Sequence, residues 1–154
     1  MGLLDGDAGP LPSKLPRYLI LGAALFFAIS LPLYLLLRFH TEKVTAQLFL
    51  SQVMAGDYQS AYRTWKPAAS YSFEDFMRDW GPGGEYGPVK SYDLLSARSP
   101  NKASGVIVTV EVSAFSPFPS AGDPNSRNTK EVRLWIERRD QSISYAPDEI
   151  RISR

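Results

Sequence analysis

Residues 105–115 read GVIVTVEVSAF. Val106, Val108, Val110, Val112 and Ala114 fall on one side of an extended chain, and Ile107, Thr109, Glu111, Ser113 and Phe115 on the other. One side is wholly apolar and the other mixed, which is the pattern of a strand covered on one face. Further along, Ser116–Asn128 holds Pro117, Pro119 and Pro124 and is long for a hairpin loop. Thr129–Arg139 resumes the alternation, with Val132, Leu134 and Ile136 on one face. Asp140-Gln141 turns the chain into Ser142–Ala146. Pro147-Asp148 interrupts, and Glu149–Ser153 continues with Ile150 and Ile152 inward. Val89–Ala97 precedes them as a first strand of weaker alternation.

Before residue 81 the period is 3.6. Ala46, Phe49, Leu50, Val53 and Met54 make one apolar helical stripe. Gly56 stops that helix and Asp57 caps the next, whose spacing is Tyr58, Ala61, Tyr62 and Trp65, with Pro67 as its stop. Ser72-Phe73-Glu74-Asp75 has the form of a capping box, with Asp in place of the preferred Glu, opening a third helix of Phe73, Phe76, Met77 and Trp80. Gly81-Pro82-Gly83-Gly84 ends it. About three helices followed by four to five antiparallel strands specify an α+β domain over 41–154, with the helices packed on one face of a curved sheet.

Upstream, Tyr18–Leu37 (YLILGAALFFAISLPLYLLL) carries no charge. At about 1.5 Å per residue, such a run spans roughly 30 Å, the thickness of a bilayer's hydrocarbon. A cleaved leader has a shorter apolar run and a small-residue cleavage site, and none follows here. A core helix would carry a polar face, and this one has none. The expectation is a single transmembrane helix over 18–39 behind a disordered tail over 1–17. Pro32 is tolerated within such a helix, and Tyr18 and Tyr34 suit its two interfaces. Lys14 and Arg17 on one side balance Arg38 and Lys43 on the other, so charge does not set the orientation. The usual arrangement for a short tail and a long following domain puts the domain outside the cytoplasm, with a bacterial inner membrane as the expected site. The apolar stripe of 46–54 follows after only a few polar residues, which restricts the domain to targets at or in the same membrane.

Composition removes several classes of function. The 17 basic and 16 acidic residues nearly cancel, and residues 41–154 hold 14 of each. A neutral domain exerts no general pull on nucleic acid. The basic group Arg133, Arg138, Arg139, Arg151 and Arg154 reads as the solvated face and edge of a sheet. There is no cysteine, and His40 is the sole histidine, so no thiolate chemistry and no imidazole pair exists.

With Ala55-Gly56-Asp57-Tyr58 and Ala61-Tyr62 at a helix junction ahead of well-patterned strands, residues 41–154 resemble the NTF2-like (cystatin-like α+β roll) superfamily. The architecture also resembles, more distantly, single-span proteins that assist respiratory-complex assembly or protein import. The roll hosts enzymes, ligand pockets and interaction modules alike, so the resemblance selects no single function. It implies a cone that in enzymes holds an Asp–His pair or Tyr and Asp groups. The histidine version has no residue to supply it here.

Nine of the 19 aromatics fall between Tyr58 and Tyr92. Tyr58, Tyr62, Trp65, Phe76 and Trp80 are the candidate pocket lining, and the same spacing equally describes a core. Trp135, between Arg133 and Glu137, and Phe118, within Ser116-Pro117-Phe118-Pro119, are the candidate partner contacts. Glu74, Asp75 and Asp79 read as a charged helix surface. Gly81–Pro88 is a chain reversal, because it follows a helix and precedes a strand, the reverse of a phosphate loop. No catalytic, cofactor-binding or metal-binding residue is assigned, and no cofactor is expected. The expected partners are the bilayer, through Tyr18–Leu37, and another membrane protein or complex. The expected role is that of a membrane-tethered interaction module, with a small-molecule-binding or enzymatic pocket as the alternative.

Overall fold

The computed structural model describes residues 15–147, with the side chains of residues 15–17, 35 and 36 outside the description. Most of the expected tail and the expected strand Glu149–Ser153 lie outside the described residues. The chain forms two compact units divided after Arg38.

The first unit contains α1, Leu15–Leu37, with Pro32 inside it. It begins three residues ahead of the expected Tyr18, so Leu15-Pro16-Arg17 belong to the helix; a proline in the first turn lacks only an N–H that has no helical acceptor. It also stops before Arg38 and Phe39, which form a turn. Exposed apolar side chains lie all round it, among them Leu19 (72%) and Phe27 (67%). The Ser30 hydroxyl donates to the Phe26 carbonyl one turn back. Counting only residues with described side chains, no helix is long and apolar enough to cross a membrane.

The second unit is an α+β fold of three helices followed by a sheet. Helices α2 (His40–Met54), α3 (Tyr58–Trp65) and α4 (Phe73–Trp80) precede strands β1 (Ser91–Arg98), β2 (Gly105–Ser113), β3 (Lys130–Glu137) and β4 (Ile143–Tyr145). The strands form one antiparallel sheet in the order β1-β2-β3-β4. Each strand pairs with the next in sequence, so no crossover is needed.

Local chemistry sets the helix boundaries. Gly56 sits at φ +74°, where a glycine avoids the Cβ clash, and joins α2 to α3. The Asp57 carboxylate accepts from the Ser60 N–H at 3.1 Å. At α4 the reciprocal capping box forms: Ser72 Oγ accepts from the Asp75 N–H, and Asp75 Oδ2 accepts from the Ser72 N–H, both at 3.1 Å. Such caps each contribute about 1 kcal/mol. The Gly-rich segment after α4 turns back on the helix, where Glu85 N–H and Tyr86 N–H donate to the carbonyls of Arg78 and Asp79.

The core lies between the helices and one sheet face. Ala46, Phe49, Leu50 and Val53 of α2 meet Val106, Val108, Val110 and Val112 of β2 and Val132, Leu134 and Ile136 of β3 in one cluster. The sequence predicts an exposed second face for β2, but Ile107 and Thr109 are buried there too. The register explains this. Ile107 lies between Arg98 and Trp135, and Thr109 between Ser96 and Arg133, so each has a cross-strand neighbour on both sides and at least one of them is a long side chain. Gly105 belongs to the same arrangement: a Cβ there would come within 2.5 Å of the Trp135 ring and 2.6 Å of the Ile136 carbonyl.

Candidate functional site

Three of the five residues expected to line a pocket fill the core instead. Phe76 and Trp80 are fully buried and Trp65 is 3% exposed. Phe49 contacts all three, with ring centroids 5.1 Å from Trp65, 6.2 Å from Phe76 and 4.9 Å from Trp80. Tyr62 and Tyr58 are half-buried at its margin. The Tyr62 ring packs edge-on against Phe73 and Phe76, and its hydroxyl donates to the Tyr71 carbonyl at 2.7 Å. Trp65, Phe76, Trp80 and Tyr62 therefore meet in a packed aromatic cluster while Tyr58 packs against the core's margin, and helical spacing alone did not separate that outcome from a cavity wall.

At the edge of this cluster, groups distant in the chain converge. Asp79, near the end of α4, accepts at Oδ2 from the Tyr71 hydroxyl at 2.6 Å and from the Tyr145 hydroxyl at 2.8 Å. Tyr71 lies on the loop ahead of α4, and Tyr145 ends β4. Burial, together with the hydrogen bond to Asp79, pushes the Tyr71 phenol well above its ordinary range. Tyr145 is pushed further up, by burial first and then by its hydrogen bonds to Tyr71 and Asp79. Both phenols hold their protons at neutral pH, so they are donors rather than bases. The chemistry is that of a tie between α4 and β4. Trp65 stacks on Tyr71 at 5.8 Å and 27°, and Tyr86 lies against Tyr145 at 5.9 Å. Next to the tie is an apolar notch of about 150 Å³ bordered by Trp65, Ala68, Tyr71, Ile143, Ser144 and Tyr145. Pockets that enclose a drug-sized ligand measure about 300–1,000 Å³. A larger groove of about 330 Å³ lies elsewhere, between α2, α3 and the turn before β4, lined by Thr45, Leu48, Arg63, Thr64, Lys66 and Gln141. It includes none of the five predicted residues.

The buried Nε1–H of Trp80 has no hydrogen-bond partner among the described residues. Its surroundings are rings: Phe49 at a T-shaped 89° and Tyr86 at 5.0 Å. Glu42, in the first turn of α2, is 6% exposed and lies 3.6 Å from the Arg138 guanidinium. Asp75 belongs to its cap and to Arg78 at 3.1 Å, so the charged-surface reading of the α4 acids holds for Asp75 but not for Asp79. Among the described residues, no three His, Cys, Asp or Glu side chains are placed to hold a metal ion.

The two candidate contact residues lie outside the core cluster. Trp135 is half-buried on the sheet face opposite the helices, opposite Ile107 and Ser144 and over Gly105. It is therefore a structural cover for the glycine that also keeps an accessible flank. Phe118 is half-buried in the loop between β2 and β3, after the cis Ser116–Pro117 bond. Sequence reading missed a feature of that same sheet face. Asp93, Glu111 and Glu131 stand directly opposite one another on β1, β2 and β3. Like charges in cross-strand pairs are destabilising. The signal was present in the spacing of Glu111 and Glu131 within their strands, but it needed the register to become a row. The Thr129 hydroxyl donates to Glu111 within this row.

No family model matches the chain, and no match is found among curated proteins or among solved structures.

Proposed function

We propose that the chain is a single-pass membrane protein whose α+β unit works as a docking module for another membrane protein or complex. The observation that carries this reading is α1: a helix apolar on every side, with exposed side chains over its described length and an uncharged run from Tyr18 to Leu37. A helix of that kind needs an apolar surround, and lipid is the surround that suits twenty-odd residues at about 1.5 Å each. The orientation that goes with it places the α+β unit outside the cytoplasm. The NTF2-like resemblance remains a proposal about descent, supported by helices preceding an antiparallel sheet.

The pocket alternative is weaker because Trp65, Phe76 and Trp80, three of the five side chains that would line the pocket, are packed into the core. Docking is favoured by the sheet face away from the helices, which carries the accessible flank of Trp135 and, beyond the intervening Ser96–Thr109–Arg133 rung, the carboxylate row Asp93, Glu111 and Glu131. A partner surface carrying lysine or arginine offsets the repulsion within that row. The test is a photo-crosslinking residue placed at Trp135 in intact membranes. A discrete adduct with a membrane protein is expected, lost in the double variant Asp93→Lys, Glu131→Lys and absent when the probe replaces Thr64 on the helical side. Equal labelling from both positions would contradict the reading.

A further inference from the structure

One end of the α+β unit is assembled from four parts of the chain, tied together by the turn between β3 and β4. The Arg138 guanidinium lies 3.6 Å from Glu42 in the first turn of α2, and the Arg138 N–H donates to the Ser104 carbonyl of the β1–β2 loop at 3.2 Å. Gln141 accepts from the Thr45 hydroxyl of α2 at 2.8 Å, and Lys66, just past α3, donates to the Asp140 carbonyl. The acids at this end are answered within it. Glu42 is buried against Arg138, Glu137 accepts from the Ser104 hydroxyl at 2.8 Å, and the Asp140 carboxylate accepts from the Ser142 N–H at 2.9 Å and feels the charge of Lys66. Lys43, Lys102 and Arg139 are different. All three are exposed, and among the described residues none of them enters an ion pair.

The backbone adds a second observation. Among the described residues the non-glycine positions in the left-handed region are Lys66 (φ +50°), Lys102 (φ +58°) and Gln141 (φ +59°), and all belong to this end. Glycine holds such a conformation at less cost, yet two of the three positions carry a lysine. The carboxylate row Asp93–Glu111–Glu131 lies toward the other end of the strands, four residues along β2 from Ile107, or about 13 Å. A domain without net charge is therefore polar from end to end. The cationic end is also where the chain enters. His40 opens α2 three residues after Leu37 closes α1. Three residues reach at most about 11 Å when extended, whatever the angle between the helices. The potential of a charged leaflet persists over about 8–10 Å.

We propose that this end of the α+β unit lies against the anionic headgroups of the membrane that holds α1, with Lys43, Lys102 and Arg139 as the headgroup contacts. Each such cation favours contact with an anionic leaflet about fivefold, on the order of a hundredfold for three. The contact rests on the reading of α1 as a membrane helix and goes beyond the docking role. It occupies the strand ends and leaves the sheet face of Trp135 accessible to a neighbouring membrane protein.

The test uses the absence of cysteine from the full chain. Asn101→Cys in the β1–β2 loop, or Ser120→Cys in the β2–β3 loop, carries a fluorophore, and the chain is placed in nanodiscs that contain a headgroup-nitroxide lipid. The discs are phosphatidylcholine alone or phosphatidylcholine with phosphatidylglycerol. Quenching of the label at position 101 is expected to be about threefold or more stronger in the anionic disc and to relax in high salt, while the label at position 120 is quenched weakly in both. The triple variant Lys43→Gln, Lys102→Gln, Arg139→Gln is expected to abolish the dependence on lipid charge with an unchanged unfolding midpoint. The triple variant Lys90→Gln, Arg127→Gln, Lys130→Gln, which removes as much charge, is expected to retain it. Equal quenching at position 101 in the two discs, or equal behaviour of the two triple variants, would overturn the proposal alone. A chain that failed to co-elute with either disc would overturn the membrane reading and this contact together.

Discussion

α1 and α2 follow one another with only Arg38 and Phe39 between them, yet they are built for different surroundings. α2 buries Glu42, Ala46, Phe49, Leu50 and Val53 on one side and leaves Val44, Leu48 and Met54 at least two-fifths exposed on the other. It has a protein side and a solvent side. α1 has no such division: Leu19, Leu21, Leu25, Phe26, Phe27 and Ile29 are each 60% exposed or more. In water that surface would be an association site; in hydrocarbon it has little tendency to associate. The difference teaches that one chain can hold two hydrophobic designs whose stabilities answer to different media, and perturbations should separate them.

The largest separation is expected from Phe49→Ala. It removes the ring that touches Trp65, Phe76 and Trp80 and should destabilise the α+β unit by about 3–5 kcal/mol. Denaturant unfolding followed by tryptophan emission reads this, while membrane partitioning stays as in the parent chain. The converse is Leu25→Arg at the centre of α1, expected to cost about 2.5–3.5 kcal/mol of membrane insertion. Here the bound fraction falls and the unfolding midpoint of the α+β unit stays put. If either substitution moved both readouts, the two designs would not be independent.

A smaller effect is expected at the Asp79 tie. Asp79→Ala leaves the Tyr71 and Tyr145 hydroxyls without their acceptor and should cost about 1–2 kcal/mol of unfolding free energy, again without change in partitioning. The smallest is a pH effect with a defined sign. Both phenols are raised in the folded chain, and unfolded phenols ionise near pH 10. Their contribution is complete below about pH 10 and is lost as pH rises beyond it, because the unfolded state then releases protons first. The unfolding midpoint of the parent should therefore fall above about pH 10, more steeply than that of Tyr145→Phe.

Much of the scaffold was legible from local signals. The Ser72–Asp75 box, the Asp57 cap and the alternation of 105–113 each depend on residues within a turn or a strand, so spacing is enough to find them. What spacing missed needs partners brought from afar. Asp79 and Tyr145 are 66 residues apart, and the carboxylate row requires three strands in register. The aromatic spacing of 58–80 suited a core and a pocket equally, and the choice was made by Phe49 from α2, which supplies the ring at the centre of the cluster.

The central claim is that α1 holds this protein in a bilayer, and flotation tests it most directly. The full chain and a chain beginning at Phe39 are each mixed with lipid vesicles and floated through a density gradient in high salt, which screens simple charge adsorption. The account predicts that the full chain rises with the lipid and the shortened chain stays at the bottom, folded. A full chain that remained with the shortened one, or a shortened chain that floated equally well, would contradict it.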